Sequence, residues 1–243
     1  MADDLFVSVS GAIARLRDLE TVSNNLANAE TTGYKRDLTL FRSALEQALE
    51  AAGLPVPGSP GMTRVGVDGG ATDFTPGAAQ FTGNPLDVAI QGPGFFEIET
   101  ADGPRFTRAG SFRVNAAGQL ATPAGDPVLG LGGPIAVAGD ARISPSGEVL
   151  GDRGQSLGRL LLVEFPNHEL AKSGGNLWEA LPGAARSDVA EPALAAASLE
   201  RSNVAPVSEL ARLVALQRAF DVEMRMLQTQ DEATQQLLQE VNR

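Results

Sequence analysis

Leu86-Asp87-Val88-Ala89-Ile90-Gln91 and, beyond the break Gly92-Pro93-Gly94, Phe96-Glu97-Ile98-Glu99 alternate apolar with polar or small positions at a period of two. That is the period of a strand, whose successive side chains point to opposite faces. Asp102-Gly103 then supplies a hairpin turn signal. Outward from this stretch the same grammar continues. Further strands are expected at 105–108, 111–115, 119–122, 127–130, 134–137, 141–144, 148–150, 157–165 and 177–180. Turn signals at Gly118, Gly125, Gly139 and Gly147 separate them, and fifteen of the 27 glycines fall within 83–158. Many short strands at close spacing predict a small barrel or a folded sheet.

The two ends read differently. Leu5, Ala12, Leu19 and Leu26 recur every seven residues, and Val9, Leu16 and Ser23 fill the alternate seam of an amphipathic helix over 3–28. Asn24-Asn25-Leu26-Ala27-Asn28 reads as its end, because Asn side chains compete for backbone hydrogen bonds. Gly33 is a firm break, and a shorter helix is expected over Leu38–Ala52. The last helix starts near Pro206, a residue tolerated in a first turn. Its seam runs Leu210, Leu213, Gln217, Phe220, Met224, Leu227, Asp231, Thr234, Leu238 and Val241. The expected fold class is α+β, with long N- and C-terminal helices in a coiled-coil-like bundle and an inserted all-β middle domain. The expected domains are an N-terminal helical arm, 1–52, an irregular linker, 53–82, a β-rich outer domain, 83–181, a second linker, 182–198, and a C-terminal helical arm, 199–243. The two arms together would form one inner helical domain.

Composition excludes several functions. The formal net charge of −11 repels phosphate backbones, which argues against nucleic-acid binding. The chain has no cysteine, so it has neither a disulfide framework nor a thiol nucleophile. Aromatic residues make up only 5% of the chain, so a mostly aliphatic core is expected. No apolar run approaches the roughly 20 residues of a membrane-spanning helix. The N-terminus, Met1-Ala2-Asp3-Asp4, lacks the basic and apolar regions of a cleaved secretory signal.

No catalytic constellation emerges. His168 is the one histidine and has no second ligand or nucleophile near it in sequence. Gly92-Pro93-Gly94 lacks the Lys-Ser/Thr and helix of a phosphate loop and reads as a tight turn. Alternation places Glu97 and Glu99 opposite Phe96 and Ile98, on a face expected to be solvated, with Arg105 and Arg108 near enough to offset their charge. Asp87 and Asp102 add carboxylates but no acid/base pair in a cleft motif. No metal-ligand spacing occurs and no cofactor is expected.

Three stretches go further than pattern. The first is Ser23-Asn24-Asn25-Leu26-Ala27-Asn28 with Thr31-Thr32-Gly33-Tyr34-Lys35-Arg36. The second runs from Gly83-Asn84-Pro85-Leu86-Asp87 through Gly92-Pro93-Gly94-Phe95-Phe96 to Phe106-Thr107-Arg108-Ala109-Gly110-Ser111-Phe112. The third is Leu199-Glu200-Arg201-Ser202-Asn203-Val204, then Glu209-Leu210 and Gln217-Arg218-Ala219-Phe220. In this order they resemble the flagellar basal-body rod and hook family. The length and Pro127-Val128-Leu129-Gly130 are most similar to its F-type proximal rod members, with its distal rod members the alternative.

The resemblance implies a non-enzymatic structural subunit of the periplasmic drive shaft, passed through the flagellar type III export apparatus without a cleaved signal. It implies assembly with copies of itself and with other rod proteins, and leaves contacts with surrounding ring proteins open. Assembly would run through a helical seam of Leu5, Leu16, Leu19, Leu26, Leu210, Leu213, Phe220, Met224, Leu227 and Leu238. Asn24, Asn25, Asn28, Gly33, Tyr34, Asn84, Gly92, Gly94, Ser202 and Asn203 would have structural roles, Asn203 as a cap of the last helix. The competing class is a peptidoglycan-binding or wall-cleaving module with helical arms.

Overall fold

A computed structural model describes residues 2–39, 70–166 and 169–241. His168, the side chains of Leu5, Leu227 and Leu238, and all but the start of the helix expected over Leu38–Ala52 lie outside this description. The start of that expected helix is a strand, Asp37–Thr39. The chain divides into two compact units: Met1–Ala27, Asp37–Val56 and Ala205–Arg243 form one, Asn28–Arg36 and Pro57–Val204 the other.

The second unit is built on one antiparallel sheet. Its strands are β1 (Phe95–Thr100), β2 (Gly103–Thr107), β3 (Leu162–Glu164), β4 (Leu170–Gly174), β5 (Leu177–Ala180) and β6 (Ser187–Asp188). They lie in the order β4-β5-β2-β1-β3-β6. The hairpin between β1 and β2 closes at Thr100↔Gly103, where Gly103 takes φ +103°, as the Asp102-Gly103 signal predicts. A three-stranded sheet of Ala141–Ile143, Glu148–Gly151 and Ser156–Arg159 and several two-stranded pairs surround it. Among the described residues the strand orders are open, which fits the folded sheet of the two expected forms and not the small barrel.

The main sheet is apolar on both faces, with a separate core packed against each. Phe96 pairs across from Leu162, and with Ile98 they enter a largely aliphatic core containing Val88, Leu120, Val128, Val149 and Leu160. Phe95 pairs across from Val163 on the other face, in a second core with Phe106, Phe165, Leu170 and Trp178. Most of the buried aromatics lie in this second core, while Phe96 and Phe112 pack edge-to-face in the first. The Trp178 ring lies 4.9 Å from Phe74 and 6.3 Å from Phe95, and Phe106 lies 4.7 Å from Phe165. The expectation of a mostly aliphatic core therefore holds for one layer only.

That second layer also corrects the reading of Glu97. The side chain is buried rather than solvated, because it shares a face with Phe95 and lies across from Phe106. Its charge is met by Arg186 at 2.9 Å. Arg105 instead pairs with Glu179 at 3.3 Å, and Arg108 turns elsewhere. Glu99 alone is exposed. The stretches read as linkers also carry strands. Ala79–Phe81 pairs with Ser198–Glu200, and Leu194–Ala196 pairs with Val88–Ile90.

The expected fold class is corrected as well. The described chain is mostly strand by number of elements, with two helices among the described residues, α1 (Ala2–Ala27) and α2 (Pro206–Val241). Among the described residues no coiled-coil bundle is formed. A coiled coil inserts its apolar seam into holes on the facing helix. Here Leu16 is 44% exposed, Leu210 51% and Met224 39%, and Leu19, Leu26, Leu213 and Phe220 are only half-buried. The buried stripe of α1 is instead Asp18, Val22 and Asn25, spaced by four and three and mostly polar. Arg212 of α2 donates to Asp18 at 2.7 Å. Asn25 accepts from the Asp37 N–H and donates to the Asp37 carbonyl, both at 2.8 Å. Heptad spacing permits knobs-into-holes packing, but the face that is buried lies beside the heptad seam and is held by an ion pair and an amide–backbone pair.

Candidate functional site

Three charged side chains from distant parts of the chain meet in the interior of the β unit. Glu200 ends the short strand Ser198–Glu200, held against Ala79–Phe81. Lys35 follows the Thr31–Tyr34 turn, and Arg108 follows β2. Lys35 Nζ lies 2.6 Å from Glu200 Oε1, and Arg108 Nη1 lies 3.4 Å from Glu200 Oε2. The Lys35 and Glu200 side chains are 0% and 2% exposed.

The remaining polar atoms of the cluster are largely satisfied by backbone. Glu200 Oε1 also accepts from the Gly77 N–H at 2.9 Å. Lys35 Nζ donates to the Thr75 carbonyl and Arg108 Nη2 to the Gly92 carbonyl, each at 2.8 Å. The Arg108 guanidinium sits 5.3 Å from the centre of the Phe95 ring. Arg108 Nε has no partner among the described residues. Burial pushes Lys35 below the ordinary lysine range and Arg108 below the ordinary arginine range, and Glu200 opposes both shifts. Desolvation thus outweighs attraction, so the cluster is better understood as fixing which segments meet than as adding net stability.

The backbone closes around it. The Gly33 N–H donates to the Glu200 carbonyl at 2.8 Å. Gly33 adopts φ +67°, and a Cβ there would stand 2.5 Å from the Arg108 carbonyl carbon, so both conformation and space require glycine. Tyr34 is buried with Ala29 and Val204.

Asn203 was expected to cap the last helix, but it does other work. Its Oδ1 accepts from the Arg36 N–H at 2.7 Å, and its amide donates to the Asp73 carbonyl at 2.7 Å. The first turn of α2 opens at Ala205, whose carbonyl accepts from the Glu209 N–H. Asn28 receives the Thr31 N–H on its carbonyl and the Thr31 hydroxyl on Oδ1. Asn84 donates to Asp87 at 2.9 Å in a turn, Ser202 accepts from the Val204 N–H, and Gly94 takes φ +112°. Gly92 contributes its carbonyl to Arg108, while Asn24 lies on the exposed side of α1. Among the described residues, no seam side chain is bonded to this cluster.

Lys35, Arg108 and Glu200 all fall inside the signature stretches, but the sequence points to no role for Lys35 or Glu200 and sets Arg108 against Glu97 and Glu99, whereas it pairs with Glu200. The available signal was weak: each charge stands next to a residue read as buried or turn-forming, a setting in which a charge needs a partner, but Lys35 and Glu200 are each followed by a second charge, Arg36 and Arg201. Asp73 went unnoticed too. It holds Arg36 at 3.1 Å and accepts from the Thr75 N–H at 3.0 Å. Burial alone would raise its pKa, but the Thr75 hydrogen bonds and the Arg36 charge outweigh burial and lower it below the ordinary value of 3.8. A depressed carboxylate pKa contributes stability that is fully present above the unfolded value and is lost as pH falls through the folded one. Asp73→Asn should therefore flatten the fall of thermal midpoint below pH 3.8, relative to the parent chain. Equal slopes for the two chains in acid would refute that role.

Among the described residues, no group of acidic or histidine side chains could hold a metal ion, and no helix is long and apolar enough to cross a membrane. Three family models match the chain: a flagella basal body rod protein model over residues 5–35, a flagellar hook protein FlgE/F/G D1 domain model over 89–151, and a flagellar basal body rod FlgEFG protein C-terminal model over 195–240. Each matched stretch supplies one member of the buried cluster. The flagellar basal-body rod protein FlgF of Caulobacter vibrioides is 36% identical over 93% of this chain and 93% of its own length. FlgG of Bacillus subtilis is 33% identical over 98% of both chains, and FlgF of Escherichia coli is 33% identical over 94% of both.

Proposed function

This chain belongs to the flagellar basal-body rod protein family and is a structural subunit of the rod, and from that premise we propose that it polymerises through its terminal helices. The observation that carries the reading is the apolar surface those helices leave uncovered. Leu16 on α1 and Val207, Leu210, Val214, Val222 and Met224 on α2 are exposed large hydrophobics. Large apolar side chains exposed at this many positions on two helices suit an interface with neighbouring subunits better than contact with water.

In this reading the arms 1–52 and 199–243 form the inner part of the shaft and 83–181 the outer part. The stretches 53–82 and 182–198 connect them. The seam residues Leu5, Leu16, Leu19, Leu26, Leu210, Leu213, Phe220, Met224, Leu227 and Leu238 meet copies of this chain and other rod proteins. The shaft stands in the periplasm, transmits torque, and receives its subunits through the type III export apparatus. The chain acts by packing, not by catalysis. The F-type proximal position is favoured by identity: FlgF of Caulobacter vibrioides is 36% identical to this chain and FlgG of Bacillus subtilis 33%.

Phe220→Asp tests the proposal. Phe220 lies on the seam and half-buried, so it faces neighbours without belonging to either β core. Burying a carboxylate against apolar partners is costly enough to block assembly. The variant is expected to be absent from purified basal bodies and to leave cells non-motile. Its β unit should still show the parent's near-ultraviolet signal from Trp178. Normal incorporation would overturn the proposal.

A further inference from the structure

The hairpin of β4 and β5 projects three residues, Gly174-Gly175-Asn176, that all adopt positive φ. Asn tolerates this conformation because its short polar side chain can bond locally. Here the side chain bonds elsewhere. The Asn176 amide donates to the Thr32 carbonyl at 2.7 Å, and the Asn176 carbonyl accepts from the Thr107 hydroxyl at 3.1 Å. Lys172, across from Trp178 in the hairpin register, extends over the same segment. Its Nζ donates to the Lys35 carbonyl at 2.9 Å and stands 4.3 Å from the centre of the Tyr34 ring and 5.4 Å from that of Trp178.

The segment Thr31–Arg36 is thus held from two directions. Glu200 and Asn203 bond it through the Gly33 and Arg36 N–H groups and the Lys35 ammonium. Lys172 and Asn176 bond the carbonyls of Lys35 and Thr32. Apart from Tyr34, this short turn has little apolar area of its own to hold it down. Charge-assisted hydrogen bonds and a cation over an aromatic face supply directional attachment instead. The hairpin lies outside all three stretches matched by the family models.

We propose that Lys172 and Asn176 are positioning residues: the β4–β5 hairpin clamps the Thr31–Arg36 turn and so fixes the course of the chain that leads out of α1. The clamp is a property of the single chain and does not depend on how subunits assemble. Asn176→Gly removes the amide while keeping a residue that accepts positive φ. Lys172→Met removes the charge while keeping the length of the side chain.

Hydrogen exchange followed by mass spectrometry on the full-length chain tests the clamp. In the double variant the amides of 31–36 should exchange about ten-fold faster or more, while those of β1 stay at the parent rate. Lys172→Arg, which keeps a cation over Tyr34, should restore most of the protection lost in Lys172→Met. Unchanged exchange at 31–36 in the double variant would overturn the proposal. So would equal acceleration in 31–36 and β1, because the hairpin would then be an ordinary part of the core. Incorporation into basal bodies is a separate readout, so failure of the clamp and failure of the assembly reading are distinguishable.

Discussion

Glu200→Ala is expected to cost about 3–5 kcal/mol of unfolding free energy, because it strands two buried cations. Lys35 and Arg108 are buried, their side chains 0% and 5% exposed, and burial already pushes both below their ordinary ranges. Removing the carboxylate also leaves the Gly77 N–H without its acceptor. The intact pair need not be worth that much, since desolvation offsets much of its attraction; the loss comes from what remains unpaired. Glu179→Ala is the fitting contrast. Glu179 meets Arg105 at 3.3 Å, but its side chain is largely in water, so about 0–1 kcal/mol is expected. Denaturant unfolding of the two variants measures the difference. A Glu200→Ala loss no greater than that of Glu179→Ala would show that the buried cluster is not holding the three signature stretches together.

Trp178→Ala is expected to cost about 3–5 kcal/mol by the ordinary price of truncating a buried aromatic. Trp178 is fully buried, and Phe74 and Phe95 pack on it directly. Its removal would open a void on one face of the main sheet while leaving the aliphatic core on the other face intact. It also removes one of the two rings beneath Lys172. The same denaturant titration serves. A loss under about 1 kcal/mol would mean that the second layer collapses readily onto the gap, and that two independent cores overstate its rigidity.

Much of the β unit was legible because strand period and turn residues are local signals. Phe96 and Ile98 enter the core that their alternation predicts, and Gly118 and Gly147 turn with φ +74° and +83° where turns are expected. What failed depended on what lies across from a residue. Glu97 reads as solvated only if the sheet has one buried face, and nothing nearby announces that Trp178 and Phe165 will cover the other. Lys35 and Glu200 are 165 positions apart, so no spacing rule links them. Asn203 has the composition of a cap, but the Arg36 N–H and Asp73 carbonyl claim its side chain first. The heptads of α1 and α2 were real as sequence and misleading as packing. Asp18, off the heptad seam, is the α1 residue that bonds α2 through Arg212.

Disulfide cross-linking within purified basal bodies tests most directly whether the terminal helices carry assembly. The chain has no cysteine of its own, so every disulfide must involve an introduced one. A Leu16→Cys/Leu210→Cys double variant places thiols at two exposed seam positions. The account predicts dimers and higher multiples on non-reducing gels of oxidised basal bodies, absent from the isolated chain at the same concentration and lost on reduction. Incorporation of the variant into basal bodies with only monomeric chain after oxidation would contradict assembly through these helices.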